Sequence, residues 1–182
     1  MKQVDFKFVR RLLHENRGAE IAEAAAVLPI MFMVLLGIFW FGQAFSIYGA
    51  ITRAAQEGVR AGSVPLCATC GTPMTYNAYA TAAQTAVNNA LILSKLDPTK
   101  LQMTSQPVYN FCTSPVTSCP TTGSACVQIP VQLVRTSQGT EDCGISVALQ
   151  YPFKFWLPFT SINNQQILLS ASATARMEQI VF

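Results

Sequence analysis

Few residues in this chain combine a type and a spacing that could do chemistry. They are six cysteines, two glutamates beside a long apolar run, and a single histidine. Cys67 and Cys70 form a C-x-x-C pair, which in a reducing compartment would suggest thiol redox chemistry or half of a zinc site. The remaining cysteines, Cys112, Cys119, Cys126 and Cys143, do not repeat that spacing, and the one histidine, His14, lies near the other end of the chain. A four-ligand zinc site or a nucleophile–base pair therefore has no second half, and structural disulfides are the expected use of all six. Their connectivity stays open, since six cysteines allow about fifteen pairings. Downstream of residue 62 the acids are Asp97, Glu141, Asp142 and Glu178. They suggest no paired-carboxylate arrangement, so no catalytic residues, no metal and no cofactor are expected.

All six cysteines follow one apolar segment, and this places them on one side of a barrier, in an oxidising compartment. From Ala24 to Thr52 there is no charged residue. Ala24–Gly42 alone approaches the roughly 20 residues at 1.5 Å rise that cross a hydrocarbon core of about 30 Å. The net charge of +3 resides in residues 1–18, where Lys2, Lys7, Arg10, Arg11 and Arg17 outweigh Asp5 and Glu15; the rest of the chain is balanced. By the positive-inside rule this leader stays cytoplasmic and the C-terminal part faces outward, with Trp40 and Tyr48 near the far interface. The apolar run is too long for the core of an ordinary cleaved signal peptide, which spans about 7–15 residues. No basic stripe with interleaved aromatics follows, so nucleic acid is not an expected partner.

Within this segment Glu23 is the residue whose position is costly. A carboxylate at a membrane edge needs a partner or an escape to the interface. Pro29 removes a backbone donor and crowds the carbonyl of Ala25, which predicts a kink in a helix that packs against others. Beyond Gly42 the pattern becomes amphipathic, with Phe45, Tyr48, Ile51, Ala55 and Val59 on the expected apolar stripe and Arg53 paired with Glu57 on the opposite face. Gly62, Ser63 and Pro65 predict its end.

The string "RGAEIAEAAAVLPIMFMVLLGIFWFGQAFSIYGAITRAAQEGVRAG" resembles the TadE-like pseudopilins of tight-adherence (Tad/Flp) pilus and secretion systems. The resemblance rests on Arg17, Gly18, Glu23, Val27, Leu28 and Pro29, on Gly37, Ile38, Phe41 and Gly42, and on Ala54, Glu57, Gly58 and Arg60. It extends to "ISVALQYPFKFWLPF" and "ILLSASATARME" near the C-terminus. It implies that a prepilin peptidase cuts between Gly18 and Ala19. It also implies that Glu23, then the fifth mature residue, meets the N-terminal amine of a neighbouring subunit and sets the axial register of a filament. Ala24 and Glu20 depart from the family pattern next to the cut.

The expected organisation is a basic leader over 1–18, a long helix over 19–62 that is transmembrane in its first half, and a disulfide-containing extracytoplasmic α+β domain over 63–182. In that domain the periodicity predicts a helix over 74–96 with Tyr79, Ala82, Ala83, Ala86, Ala90, Leu91 and Leu93 on its apolar face. Strands are predicted over 99–110, 125–135, 143–152 and 166–180, forming a mostly antiparallel sheet. The stretch "CTSPVTSCPTTGSAC" reads as a stapled loop. Trp156 marks either an exposed contact patch or a lid on the sheet. The functional expectation is a non-enzymatic minor pseudopilin of a Tad-like pilus or secretion machine, held in the inner membrane and acting in assembly, adhesion or surface attachment. Its expected partners are a prepilin peptidase, other pilin or pseudopilin subunits and membrane lipid. The alternative is a single-pass envelope anchor with a disulfide-stapled binding domain and no filament role. A secreted enzyme is the weakest of the three readings.

Overall fold

The computed structural model describes residues 16–64, 75–104, 107–135, 141–154 and 166–177. The elements in chain order are helix α1 (Asn16–Ser63), helix α2 (Tyr76–Leu93), a 3₁₀ turn (Pro98–Lys100), and strands β1 (Phe111–Ser118), β2 (Cys126–Arg135), β3 (Glu141–Lys154) and β4 (Gln166–Arg176). The class is α+β, with one long apolar N-terminal helix, a second helix and an antiparallel sheet. The chain divides into two compact units, 1–43 and 44–182.

In the first unit α1 is apolar all round. Val27, Leu28, Ile30, Met31, Phe32, Met33, Val34 and Leu35 each leave about half or more of their surface uncovered. A helix with no polar face has no orientation that satisfies water. Among the described residues this is the one helix long and apolar enough to cross a membrane.

In the second unit the sheet order is β1-β2-β3-β4, every neighbour antiparallel. One face carries Val127, Ile129, Ile145, Val147, Leu149 and Ala171, which pack with Ile51, Ala54, Ala55 and Val59 of α1 and Tyr79, Ala83, Val87 and Leu91 of α2. Because strand side chains alternate, the intervening residues point the other way. There Cys126 and Ala148 join Met103 in a smaller cluster, and Gln128 and Ser146 are buried. The β3–β4 ladder runs without interruption from Gly144↔Arg176 to Lys154↔Gln166.

Strand β1 occupies part of the stretch that reads as a loop, and the described residues of 99–110 do not form the predicted strand. Asp97 caps the 3₁₀ turn by accepting from the Thr99 amide, and beyond it Gln102 makes only isolated bridges to Thr122 and Gln150. Pro115 fits β1 because this is an edge strand whose register shifts between Phe111 and Val116; proline is tolerated at edges and bulges, where its missing N–H costs no ladder bond. Pro130, in central strand β2, likewise falls in a register shift, between Gln128 and Val131, and follows a cis peptide bond.

Among the described residues two disulfides staple the unit. Cys119–Cys126 closes the approach to β2, and Cys112–Cys143 joins β1 to β3 across β2. Two strand spacings amount to about 9.5 Å in a flat sheet, whereas the Cα atoms of Cys112 and Cys143 are 6.1 Å apart. The bulges of β1 and β2 bend the sheet there. Cys67 and Cys70 lie outside the described residues, as do Trp156 and residues 178–180 of the fourth predicted strand.

Candidate functional site

The candidate site is the N-terminal helix itself, taken in two parts. In the first unit the backbone of Gly18 and Ala19 lies within the opening turns of α1. Glu23 is one turn further on and exposed. Its own helix offers it no cation: the residues three and four positions away are Glu20 and Ala19 on one side and Ala26 and Val27 on the other. A helical side chain leans toward the N-terminus, so the Glu23 carboxylate leans toward the turn that holds Ala19. Pro29 lies inside α1, which continues through it as helix.

In the second unit α1 docks on the α2 and β3 layer. The buried stripe is Ile51, Ala54, Ala55, Gly58, Val59 and Gly62, with Ile47 packed at its margin. Phe45 and Tyr48, expected on this stripe, are instead 71% and 48% exposed. The helix turns its small residues inward because only these allow close approach. A Cβ on Gly58 would stand 2.6 Å from Val87 Cγ2 and 3.3 Å from Val147 Cγ1. One on Gly62 would run into Ile145 and stand 3.1 Å from Ala83 Cβ and 3.3 Å from the Tyr79 carbonyl oxygen. By contrast, Gly37, Gly42 and Gly49 face open space.

The A-x-x-E-G-x-R stretch thereby divides by role. Ala54 and Gly58 are core, while Glu57 and Arg60 are exposed. Arg53 and Glu57 also face outward but form no ion pair with each other; among the described residues the one ion pair is Arg176–Asp142, at 3.0 Å. On α2 the buried set is Tyr79, Ala80, Ala83, Val87 and Leu91. Leu93 was expected on that face and is 85% exposed; two residues past Leu91, it lies about 200° around the helix.

Comparison with known proteins places this helix. No curated protein and no solved structure matches the chain. A family model described as TadE-like protein matches residues 18–60, a segment that begins at Gly18, takes in Glu23, Pro29 and the whole apolar run, and ends two residues short of Gly62. Over this stretch of its N-terminal helix the chain is similar to TadE-like proteins.

Proposed function

We propose that this protein is a non-catalytic minor pseudopilin of a Tad-type pilus or secretion machine. It would be anchored in the inner membrane by α1, with its basic N-terminus cytoplasmic and its stapled domain outside. The observation that carries this reading is the TadE-like match over 18–60 on a helix whose apolar stretch contains no buried residue. Two disulfides in the second unit support an oxidising location for it.

On this reading a prepilin peptidase cuts between Gly18 and Ala19, and the freed amine of Ala19 becomes the cation that the helix otherwise lacks near Glu23. The carboxylate meets that amine, its own or a neighbouring subunit's, as the helices gather. Leaving one partner of a desolvated pair unmatched costs about 3–5 kcal/mol, so the pair selects one axial alignment among apolar surfaces that otherwise slide. Lipid covers the helix before assembly, and other pilin or pseudopilin helices cover it afterwards.

The test is the mature N-terminus, read by mass spectrometry of protein recovered from its host. Ala19 as first residue supports the pilin route, and an intact Met1 removes it in favour of a plain anchor. In the same host, Glu23→Ala should leave the protein inserted and folded but absent from sheared pilus fractions. Unchanged incorporation would end the register role.

A further inference from the structure

The second unit carries, beside Ile47, a surface that the pilin reading does not use. A cleft of ≈ 580 Å³ opens there, floored by Tyr151 and Phe153 and edged by Ile47, Lys100 and Lys154. Tyr151 and Phe153 are buried, whereas both lysines are exposed. Five residues separate Ile47 from Gly42, and even a fully extended chain covers only about 18 Å over that length. Ile47, at the edge of the cleft, is therefore tethered within that length of chain to Gly42.

The chain that leads into the turn holding Lys100, and Ile167, which pairs with Phe153, carry groups of the same kind. The last turn of α2 leaves Ile92 59% and Leu93 85% exposed, and Ile167 at the start of β4 is 48% exposed. The end of α2 also breaks a local rule. It closes with a bond from the Leu96 amide to the Leu91 carbonyl and one from the Lys95 amide to the Ile92 carbonyl. That is the Schellman arrangement, in which the left-handed residue is usually glycine. Here it is Lys95, with φ 58°. A side chain in that conformation is strained, and such strain persists mainly where it serves a site. Part of the return is the attraction of a cation to the negative end of α2. The sole acid nearby in the chain, Asp97, is occupied by the amide and hydroxyl of Thr99.

We propose that this is a membrane-contact surface. Lys95, Lys100 and Lys154 would bind the phosphates of anionic phospholipid headgroups, while Ile92, Leu93 and Ile167 dip among the acyl chains. The proposal rests on the reading of α1 as a membrane span. Lipid is the occupant favoured by continuity with that span and by the pairing of cations with exposed aliphatic side chains, the composition that suits an interface. The contact holds the stapled unit down on the bilayer until assembly lifts it away.

The test is hydrogen–deuterium exchange on the full chain in nanodiscs of pure phosphatidylcholine and in nanodiscs containing phosphatidylglycerol. Peptides covering 91–102 and 150–154 should exchange about threefold or more slower in the anionic discs. The triple variant Lys95→Gln, Lys100→Gln, Lys154→Gln should abolish the difference. Lys95→Gly should weaken it while raising the melting temperature, because glycine relieves the strained cap; this separates lipid binding from folding. Protected peptides over 24–42 with equal exchange of 91–102 in both lipids would overturn the surface alone. Free exchange over 24–42 would remove the span and the surface with it. Protection that rises with protein concentration in detergent would show a second copy covering this surface and would also overturn the proposal.

Discussion

Replacing glycine by alanine along α1 should change sign with position, and the structure fixes where. In a helix interior alanine is favoured over glycine by about 1 kcal/mol. Gly49 has open space around its missing Cβ, so Gly49→Ala should realise that gain. At Gly62 the new methyl would meet the Ile145 side chain, the Ala83 Cβ at 3.1 Å and the Tyr79 carbonyl oxygen at 3.3 Å. The last two are fixed to the α2 backbone and yield only if the helices part. Overpacking of this kind costs about 1–3 kcal/mol. At Gly58 the nearest atom is Val87 Cγ2, at 2.6 Å. A helical valine keeps one rotamer about 90% of the time, so that methyl does not swing aside freely. The propensity gain is common to both sites, so the net expectation is a gap of about 1–3 kcal/mol between Gly49→Ala and Gly62→Ala, with Gly58→Ala near Gly62→Ala. That corresponds to roughly 2–12 °C in melting temperature. The assay is thermal unfolding in a mild detergent, followed by near-ultraviolet circular dichroism. Gly62→Ala melting at or above Gly49→Ala would refute the close-approach argument, because helix propensity alone would then govern both positions.

Three further perturbations test the second unit. Cys112–Cys143 spans a sequence separation of 31 and Cys119–Cys126 one of 7; by loop entropy their removal as serine pairs should cost about 3.7 and about 2.3 kcal/mol. Denaturant titration should therefore rank Cys112→Ser with Cys143→Ser as the more damaging pair. The hydrogen bonds from the Thr99 hydroxyl and amide hold the Asp97 carboxyl below its ordinary value of 3.8. A depressed folded-state pKa gives stability that is present above the unfolded value and lost as pH falls through the folded one. Asp97→Ala should thus melt below the parent at pH 7, and the gap should close as the pH drops below about 3.8. The Arg176–Asp142 pair has side chains 71% and 30% exposed, so Arg176→Ala should shift stability by less than about 1 kcal/mol and lose even that in high salt.

How much of this was legible in the sequence depends on which residues carry the signal. The apolar helix was legible from the lack of charge between Ala24 and Thr52, since no other element tolerates so long a greasy run. Strands β2, β3 and β4 were legible from alternation and β-branched residues. Strand β1 was not, because Thr113, Ser114, Pro115 and Thr117 read as loop chemistry, and only its edge position and bulge make them acceptable in a sheet. The docking face of α1 was misread for a related reason. Hydrophobic pattern alone favours Phe45 and Tyr48, whereas the buried stripe depends on Gly58 and Gly62, which carry no hydrophobic signal and act by their lack of bulk. The lysine-edged cleft was illegible altogether, since Ile47, Lys100 and Lys154 are brought together only by the fold.

The extent of the TadE-like segment follows from the same physics. A single helix must satisfy two unlike surroundings in succession. Up to Gly42 it needs apolar side chains on every face, because nothing in its own unit covers it. From Ile51 onward it needs small residues on one face, because α2 and β3 press against it. Residues 18–60 contain both requirements in order, with the apolar run first and Ala54 and Gly58 after it. The two demands also exchange poorly. A bulky residue at Gly58 or Gly62 would push the stapled unit off the helix, and a charge within 24–42 would cost about 2.5–3.5 kcal/mol in a bilayer. Damage to the first part should cost insertion while leaving the fold of the second unit intact, and damage to the second should cost that fold while leaving insertion intact. A variant of either part that lost both together would mean that the helix does not divide its work at the boundary between Gln43 and Ala44.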